Sequence, residues 1–186
     1  MPPTAPRVAP LSSEEFTGEQ AKQLGGFASM SFPRVMMRHP ELNKTFMPLL
    51  VKVIPGSNLD PRDREILVFR TLELCNEVYE LTHHVLIARS AGMTDADIGA
   101  ARSGTGPDLS DFDRTLIRAA EELVSDQRVG DETWQQLAER YSQVELMEVV
   151  GLVGCYVMMA MFTKGYGIEL EDEETFNAFA TMRQYT

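Results

Sequence analysis

The sequence predicts an all-α fold, and three observations support that prediction. In several segments apolar residues recur every three or four positions, which is typical of a helix with one buried face. No segment alternates apolar and polar residues over the length of a strand. With 44% hydrophobic residues in a chain of 186, there is enough apolar side chain to fill one helical core.

The first thirty residues are expected to form an N-terminal arm and a short helix. Proline lacks an amide donor and has a fixed φ, so a proline-rich start favours an extended arm over a packed element. Ser13 would open the helix, because Glu14 and Glu15 follow in its first turn, where acidic side chains favour the helix dipole. The prolines of the arm are Pro2, Pro3, Pro6 and Pro10.

Two longer helices are expected next. Apolar residues at helical spacing lie between Pro40 and Pro55, which mark the two ends of the first. Asp60-Pro61 is typical of an N-cap followed by the first helical residue, so it begins the second. If that helix continued to Ala91 it would have about 30 residues, far more than the mean of about 11 to 12. We therefore expect a break near Cys75-Asn76, with the asparagine as the cap.

The remaining helices are predicted from their starts and stops. Gly92 closes the helix that precedes it, Thr94 starts a short one, and the glycine-rich loop 104–107 ends that one. Residues 31–170 would form one helical domain, and residues 171–186 an acidic tail that covers a neighbouring surface. Three more helices are expected at Asp111 to Ser125, Asp131 to Tyr141 and Val144 to Lys164.

Charge and cysteine content restrict the partners and the compartment. The net charge of −11 opposes binding to nucleic acid and to anionic membrane surfaces. Cys75 and Cys155 form no CxxC pair, which favours two reduced thiols in a cytoplasmic protein. No signal peptide is evident, and the apolar run 149–162 is shorter than the roughly 20 residues that span a bilayer. The expected partner is a small-molecule substrate.

An internal repeat distinguishes one glutamate. Residues 59–67 align with residues 109–117, and the Asp-Arg pair at the centre of each segment is shared. Both segments therefore look like helix starts. Glu65 is not shared, because Thr115 stands at its place. This difference indicates a role for Glu65 that the second copy does not need.

The candidate chemistry lies in the segment from Tyr79 to His84. Glu80 and His84 are one helical turn apart and so share a face, and His83 is within reach of Glu80. A histidine and a partly desolvated glutamate can act as general acid and base without a cofactor. A metal site is a lesser alternative, since adjacent histidines point about 100° apart on a helix and the spacing matches no common zinc motif.

Several segments, taken in their order along the chain, resemble the carboxymuconolactone decarboxylase family of the AhpD-like superfamily. The resemblance extends over about residues 30 to 170. It implies an all-helical, AhpD-like domain that assembles as a homo-oligomer, usually a trimer or hexamer. The segments include Arg38-His39-Pro40-Glu41-Leu42, Leu59-Asp60-Pro61-Arg62-Asp63-Arg64-Glu65, Tyr79-Glu80-Leu81-Thr82-His83-His84 and Ala88-Arg89-Ser90-Ala91-Gly92-Met93-Thr94.

The superfamily contains at least two chemistries, and the residues of this chain favour one over the other. Its peroxidase branch uses a glutamate, a CxxC pair and a histidine. Spaced from Glu65, the two cysteine positions fall on Glu77 and Glu80, and the histidine position falls on His84. A carboxylate can neither attack a peroxide nor resolve a sulfenic acid, so this sequence resembles a branch without the CxxC motif, and thiol peroxidase chemistry is disfavoured.

The decarboxylase branch implies a cofactor-free lyase. Loss of carbon dioxide beside a carbonyl leaves a dienolate, which needs hydrogen-bond donors and a proton at carbon. His84 would be the leading acid, with Glu80 as its partner and Glu65 and His83 as further catalytic groups. Tyr79 and also Cys75 are the expected substrate contacts, and the same groups could instead dehydrate, isomerise or cyclise a related ring.

Two other functions remain open from the sequence. A single cysteine, Cys75, could support a thiol-dependent peroxidase. Alternatively, the chain could be a non-catalytic oligomeric binding protein, since fold does not determine function.

Overall fold

The structure, a computed structural model, describes residues 6–180 and confirms the all-α prediction. Within that part of the chain every regular element is a helix. The α-helices are α1 Gly18–Leu24, α2 Ser31–Met36, α3 Pro40–Val53, α4 Pro61–Leu74, α5 Tyr79–Ser90, α6 Asp95–Ser103, α7 Asp111–Asp126, α8 Asp131–Ala138, α9 Gln143–Tyr166 and α10 Glu173–Ala180, and a 3-10 turn, Gly25–Ser29, joins α1 to α2.

Helix α4 is the centre of the fold. It packs against α5, α6, α7 and α9, so it is enclosed on nearly every side. A helix that is covered all round carries apolar residues on most of its circumference. Its side chains with 1% exposure or less include Ile66, Leu67, Val68, Phe69 and Leu72. Glu65 belongs to this helix and is completely buried as well.

The predicted break between α4 and α5 is confirmed. Helix α4 ends at Leu74, and Asn76 adopts a left-handed conformation with φ 49°, which asparagine tolerates better than most residues. The buried Glu77 then accepts hydrogen bonds from the backbone amides of Tyr79 at 3.0 Å and Glu80 at 2.7 Å. One carboxylate thereby satisfies two amides at the start of α5, a favourable place for negative charge.

The N-terminal region departs from the prediction in two ways. The helix expected at Ser13 is wrong: residues 13–15 form only a turn, and α1 starts after Thr17. The reason is that Glu15 accepts from the Ser12 amide and pairs with Arg38, whereas Thr17 forms a reciprocal capping box at the start of α1.

The arm is also packed, contrary to the expectation. Within residues 6–12, the described part of the arm, the backbone forms no helix, as predicted, but Leu11 is buried in a small cluster with Leu24 and Met37. The amides of Arg7 and Val8 donate to the carbonyl of Tyr166. Prolines therefore prevent a helix here without preventing tertiary contact.

Helix α9 extends the apolar run that the sequence showed. It has 24 residues and continues through Gly151 and Gly154. By length and composition it could cross a membrane, but half of its most apolar stretch is buried inside the fold. It packs against α3, α4, α7 and α8, which is the position of a core helix.

The internal repeat corresponds to two helices packed side by side, α4 and α7. In each, the arginine of the shared pair donates to carbonyls of the preceding loop, Arg64 in one and Arg114 in the other. The sequence difference between the two copies corresponds to a difference in side-chain contacts. Thr115 donates to a backbone carbonyl of its own helix, while Glu65 reaches across to His84 on α5.

Candidate functional site

His84 is the centre of a buried polar chain. Its Nδ1 lies 2.6 Å from Oε2 of Glu65 on α4, and its Nε2 lies 2.7 Å from the hydroxyl of Tyr156 on α9. The other oxygen of Glu65 accepts from Nε of Arg64 at 3.2 Å. Glu65 and Tyr156 are completely buried and His84 is 1% exposed. Three helices therefore hold one imidazole in a fixed orientation.

The partners of His84 decide where its protons lie. The Glu65 carboxylate can only accept, so Nδ1 carries a proton, and in the neutral imidazole Nε2 then accepts from the Tyr156 hydroxyl. Burial raises the pKa of Tyr156 well above its ordinary value, which keeps that hydroxyl protonated. The arrangement fixes the tautomer of His84, with the proton on Nδ1.

Glu80 supplies the titratable carboxyl of this site. Its Oε2 lies 4.0 Å from Nε2 of His84, one helical turn away as the sequence indicated. Burial raises the pKa of Glu80 to about 7, with the charge of Glu77 adding to the increase and His84 opposing it. A carboxyl group with a pKa near neutrality can both give and take a proton.

The raised pKa of Glu80 makes a testable contribution to stability. Since the folded state binds this proton more tightly than the unfolded chain, the contribution is complete below pH 4.5 and is lost as the pH rises through about 7. As the pH rises from 4.5 to 8, the free energy of unfolding of Glu80→Gln should increase relative to that of the parent protein by up to about 3 kcal/mol. Urea unfolding at both pH values measures this difference. The exposed Glu139→Gln is the control, and an equal pH dependence in parent and Glu80→Gln proteins would contradict the raised pKa.

His83 faces a different set of partners. Its Nδ1 lies 2.8 Å from the carbonyl oxygen of Tyr79, and its Nε2 lies 3.0 Å from Oε2 of Glu171 in the segment between α9 and α10. The Tyr79 hydroxyl donates to the other oxygen of Glu171 at 2.5 Å, and the backbone amide of Ser31 donates to the same atom at 2.6 Å. Glu171, the first residue of the predicted acidic tail, therefore reaches His83, while residues 181–186 of that tail lie outside the described residues.

An apolar cavity of about 250 Å³ lies against these groups. Most of its lining side chains are apolar and come from α2, α3, α5 and α9. The polar side chains on its wall are Tyr79, Glu80, His83 and His84. A space of this size is small among ligand pockets and suits a compact, single-ring molecule. Within residues 6–180, no cluster of histidine, cysteine or acidic side chains is arranged to hold a metal ion.

The structure brings five of the six proposed site residues together and separates one. His84, Glu80, His83 and Tyr79 line the cavity, and Glu65 lies behind His84. Cys75 is absent from this lining, although it and Tyr79 both line a second groove, so its role as a substrate contact stays a prediction. This second groove is more open, and in it Lys164 donates to the carbonyl oxygen of Cys75. The reason is that Cys75 lies beyond the end of α4, outside the helical face that carries Glu65.

Sequence reasoning missed two residues of the site. Tyr156 is not among the predicted site residues, although a buried tyrosine hydroxyl usually has a partner, and that signal could have indicated a polar contact for α9. Glu171 was assigned only to an acidic tail. The tail contains several carboxylates, and no local pattern indicates that the side chain of Glu171 is the one that is buried, with 3% exposure.

Solved structures of other proteins have the same fold. A protein of unknown function from Agrobacterium tumefaciens has a TM-score of 0.68 and 18% identity, over 74% of this chain and 96% of that one. An uncharacterized peroxidase-related protein from Ralstonia eutropha JMP134, described as an alkylhydroperoxidase AhpD core, has a TM-score of 0.79 and 13% identity, over 94% and 96%. An uncharacterized peroxidase-related protein from Silicibacter sp. TM1040 has a TM-score of 0.73 and 13% identity, over 95% of this chain and 98% of that one.

The sequence match is more specific than the structural likeness. No curated protein matches the chain significantly in sequence. Residues 40–122, which contain Glu65, Glu80 and His84, match the model of the carboxymuconolactone decarboxylase family. That family includes decarboxylase-like and peroxidase-like members. Together with the AhpD-like helical fold, the match over residues 40–122 supports the assignment of this chain to the carboxymuconolactone decarboxylase family.

Proposed function

We propose that this protein is a lyase of the decarboxylase type that needs no cofactor and acts on a small cyclic carboxylic acid or lactone. One observation carries the proposal. Glu80, whose pKa is raised to about 7, stands on the wall of an apolar cavity beside His84, which is held by Glu65 and Tyr156. This is an acid–base pair on a mostly apolar wall, where electrostatic interactions are stronger than in water.

The proposed reaction needs one proton and a site for negative charge. In a substrate whose carboxylate is attached to a saturated carbon next to a carbonyl, or at the vinylogous position, the bond to the carboxylate carbon breaks and carbon dioxide leaves. The bonding electrons pass to the carbonyl oxygen as an enolate. The protonated Glu80 then delivers its proton to carbon and is reprotonated from solvent, with His84 able to hold the proton between turnovers. Overall, the substrate carboxylate and one proton are consumed, and carbon dioxide and the ring with a new C–H bond are formed.

The roles of the two carboxylates beside His84 differ. Glu65 is completely buried and paired with Arg64 and His84, so it orients the imidazole and stabilises its protonated form. Glu80 faces the cavity, so it can reach a substrate atom. Two carboxyl groups in different environments, one paired and one with a raised pKa, are a common basis for dividing such roles.

Thiol chemistry has less support from the geometry. Burial raises the pKa of Cys75, and burial together with the charge of Glu80 raises the pKa of Cys155 to about 12. A raised pKa reduces the fraction of the nucleophilic thiolate. In addition, Glu77, at one of the two positions where the peroxidase branch carries cysteine, is already committed to the amides at the start of α5.

A substrate panel tests the proposed reaction directly. Purified protein is incubated in D₂O with small unsaturated ring acids and carboxylated lactones, and carbon dioxide release and deuterium incorporation at carbon are measured. A decarboxylase releases carbon dioxide and incorporates one deuterium per turnover. Incorporation without carbon dioxide release would replace the decarboxylase by an isomerase. Neither signal with any compound that binds would favour a non-catalytic binding protein.

Replacing Cys75 distinguishes the lyase from a thiol peroxidase. Since Cys75 lies in a separate groove and has a raised pKa, we expect Cys75→Ala to keep the parent's lyase turnover within about twofold, the scale of a surface substitution. Turnover of the same ring acid and consumption of an organic hydroperoxide are measured side by side. A hydroperoxide activity that disappears in Cys75→Ala but persists in Cys155→Ala would overturn this assignment.

A further inference from the structure

We infer that Glu171, on the segment after α9, is a positioning residue that holds His83 as a doubly protonated imidazolium on the wall of the cavity. The inference rests on the proposed function in one respect, because the cavity is where the enolate would form. Glu171 lies well outside residues 40–122, the part of the chain that matches the family model. It has no assigned role in the acid–base pair of Glu80 and His84.

Among the described residues, the groups that face the two ring nitrogens of His83 are both acceptors. Nδ1 lies 2.8 Å from the carbonyl oxygen of Tyr79, and a carbonyl can only accept, so Nδ1 must carry a proton. Nε2 lies 3.0 Å from a carboxylate oxygen of Glu171. A neutral imidazole would place a lone pair against one of these oxygens. A ring with protons on both nitrogens satisfies both contacts.

Glu171 is held in its ionised form by several donors. One oxygen accepts from the Ser31 amide at 2.6 Å and from the Tyr79 hydroxyl at 2.5 Å, and the other faces His83. Burial alone would raise the pKa of Glu171, but the hydrogen bonds from His83, Tyr79 and Ser31 lower it to about 2. A carboxylate that stays charged at every physiological pH is a constant counter-ion for the imidazole.

Within the part of the chain that the structure describes, groups on two segments surround His83 and bear on its charge state. Its own helix supplies Tyr79, Glu80 and the adjacent His84, and the C-terminal segment supplies Glu171 and the ring of Phe176, 5.3 Å away by centroids. Burial lowers the pKa of His83, but the bonds to Glu171 and Tyr79 and the charge of Glu80 together raise it. The geometric and electrostatic arguments therefore agree on a protonated ring.

The charge has a consequence for the cavity. Glu171 does not line the cavity, whereas His83 does, so a ligand would face the imidazolium with its counter-ion behind it. The remaining wall is mostly apolar. An imidazolium held in place on this apolar wall favours binding of a substrate carboxylate and stabilises an enolate formed from it. With both nitrogens engaged, His83 acts by charge, and proton transfer is left to Glu80 and His84.

Nuclear magnetic resonance of ¹⁵N-labelled imidazoles tests the inference without a substrate. The chain has only three histidines, and the His83→Gln protein assigns the signal of His83. In the parent protein at pH 7.5, both ring nitrogens of His83 should have imidazolium shifts. In Glu171→Gln, which keeps an acceptor for Ser31 and Tyr79, the midpoint of deprotonation should fall by about one pH unit or more. The exposed Glu169→Gln is the matched control and should leave it unchanged.

The outcomes separate this inference from the proposed function. A neutral His83 in the parent protein at pH 7.5, or an unchanged midpoint in Glu171→Gln, would overturn the inference even if the protein is a decarboxylase. If Glu171→Gln fails to fold, the shifts of the parent protein decide alone. An imidazolium at His83 in a protein that turns over no ring acid would support the inference and reject the proposed function.

Discussion

His84→Gln is expected to lower turnover by about 10²- to 10⁴-fold, the range for loss of a positioned acid–base group. Glutamine is close to histidine in size and can still donate to Glu65, so the packing around α5 is largely kept. It cannot take up a proton, and it therefore cannot exchange one with Glu80, 4.0 Å away. Turnover of the ring acid found in the substrate panel, at several pH values, measures the loss.

The control for His84 is another histidine of the chain. His39 is exposed and caps α3 by accepting from the amide of Leu42 at 3.2 Å. His39→Asn removes an imidazole but keeps a good capping side chain, so turnover should remain at the parent level. If His84→Gln retained a tenth or more of the parent's turnover while folding normally, the proposed place of His84 in proton exchange would be rejected.

Glu65→Ala is expected to destabilise the fold by about 3 to 5 kcal/mol, the typical cost of removing one partner from a buried ion pair. The change leaves Nδ1 of His84 and the guanidinium of Arg64 without their carboxylate partner. It also leaves a cavity beside α4, because the Glu65 side chain is completely buried. Equilibrium unfolding in urea measures the loss, and turnover should fall as well, because His84 loses its orientation.

The repeat supplies a matched control for Glu65. Thr115 occupies the same place on α7 and has one local hydrogen bond to Asp111 and one to Gln136. Thr115→Ala should cost only about 1 kcal/mol, the usual net value of an uncharged hydrogen bond. A similar cost for both substitutions would mean that the pairing with His84 and Arg64 contributes nothing beyond ordinary packing.

Helix boundaries were predictable where a local signal defines them. Asp60-Pro61 and Thr94 start helices, and Gly92 and Gly104 adopt the positive φ that ends them, because capping depends on residues close in sequence. The helix expected at Ser13 was wrong for the complementary reason. Glu15 is engaged by Arg38, 23 positions away, and no local pattern reports such a contact.

The candidate site divides along the same line. The sequence by itself determined that Glu80 and His84 share a face, since helical spacing is a local property, and it singled out Glu65 through the repeat. Only the tertiary structure decided that Glu65 and Tyr156 hold the two nitrogens of His84, that Glu171 reaches His83, and that Cys75 lies elsewhere. These contacts join residues far apart in the chain, and packing of whole helices sets them.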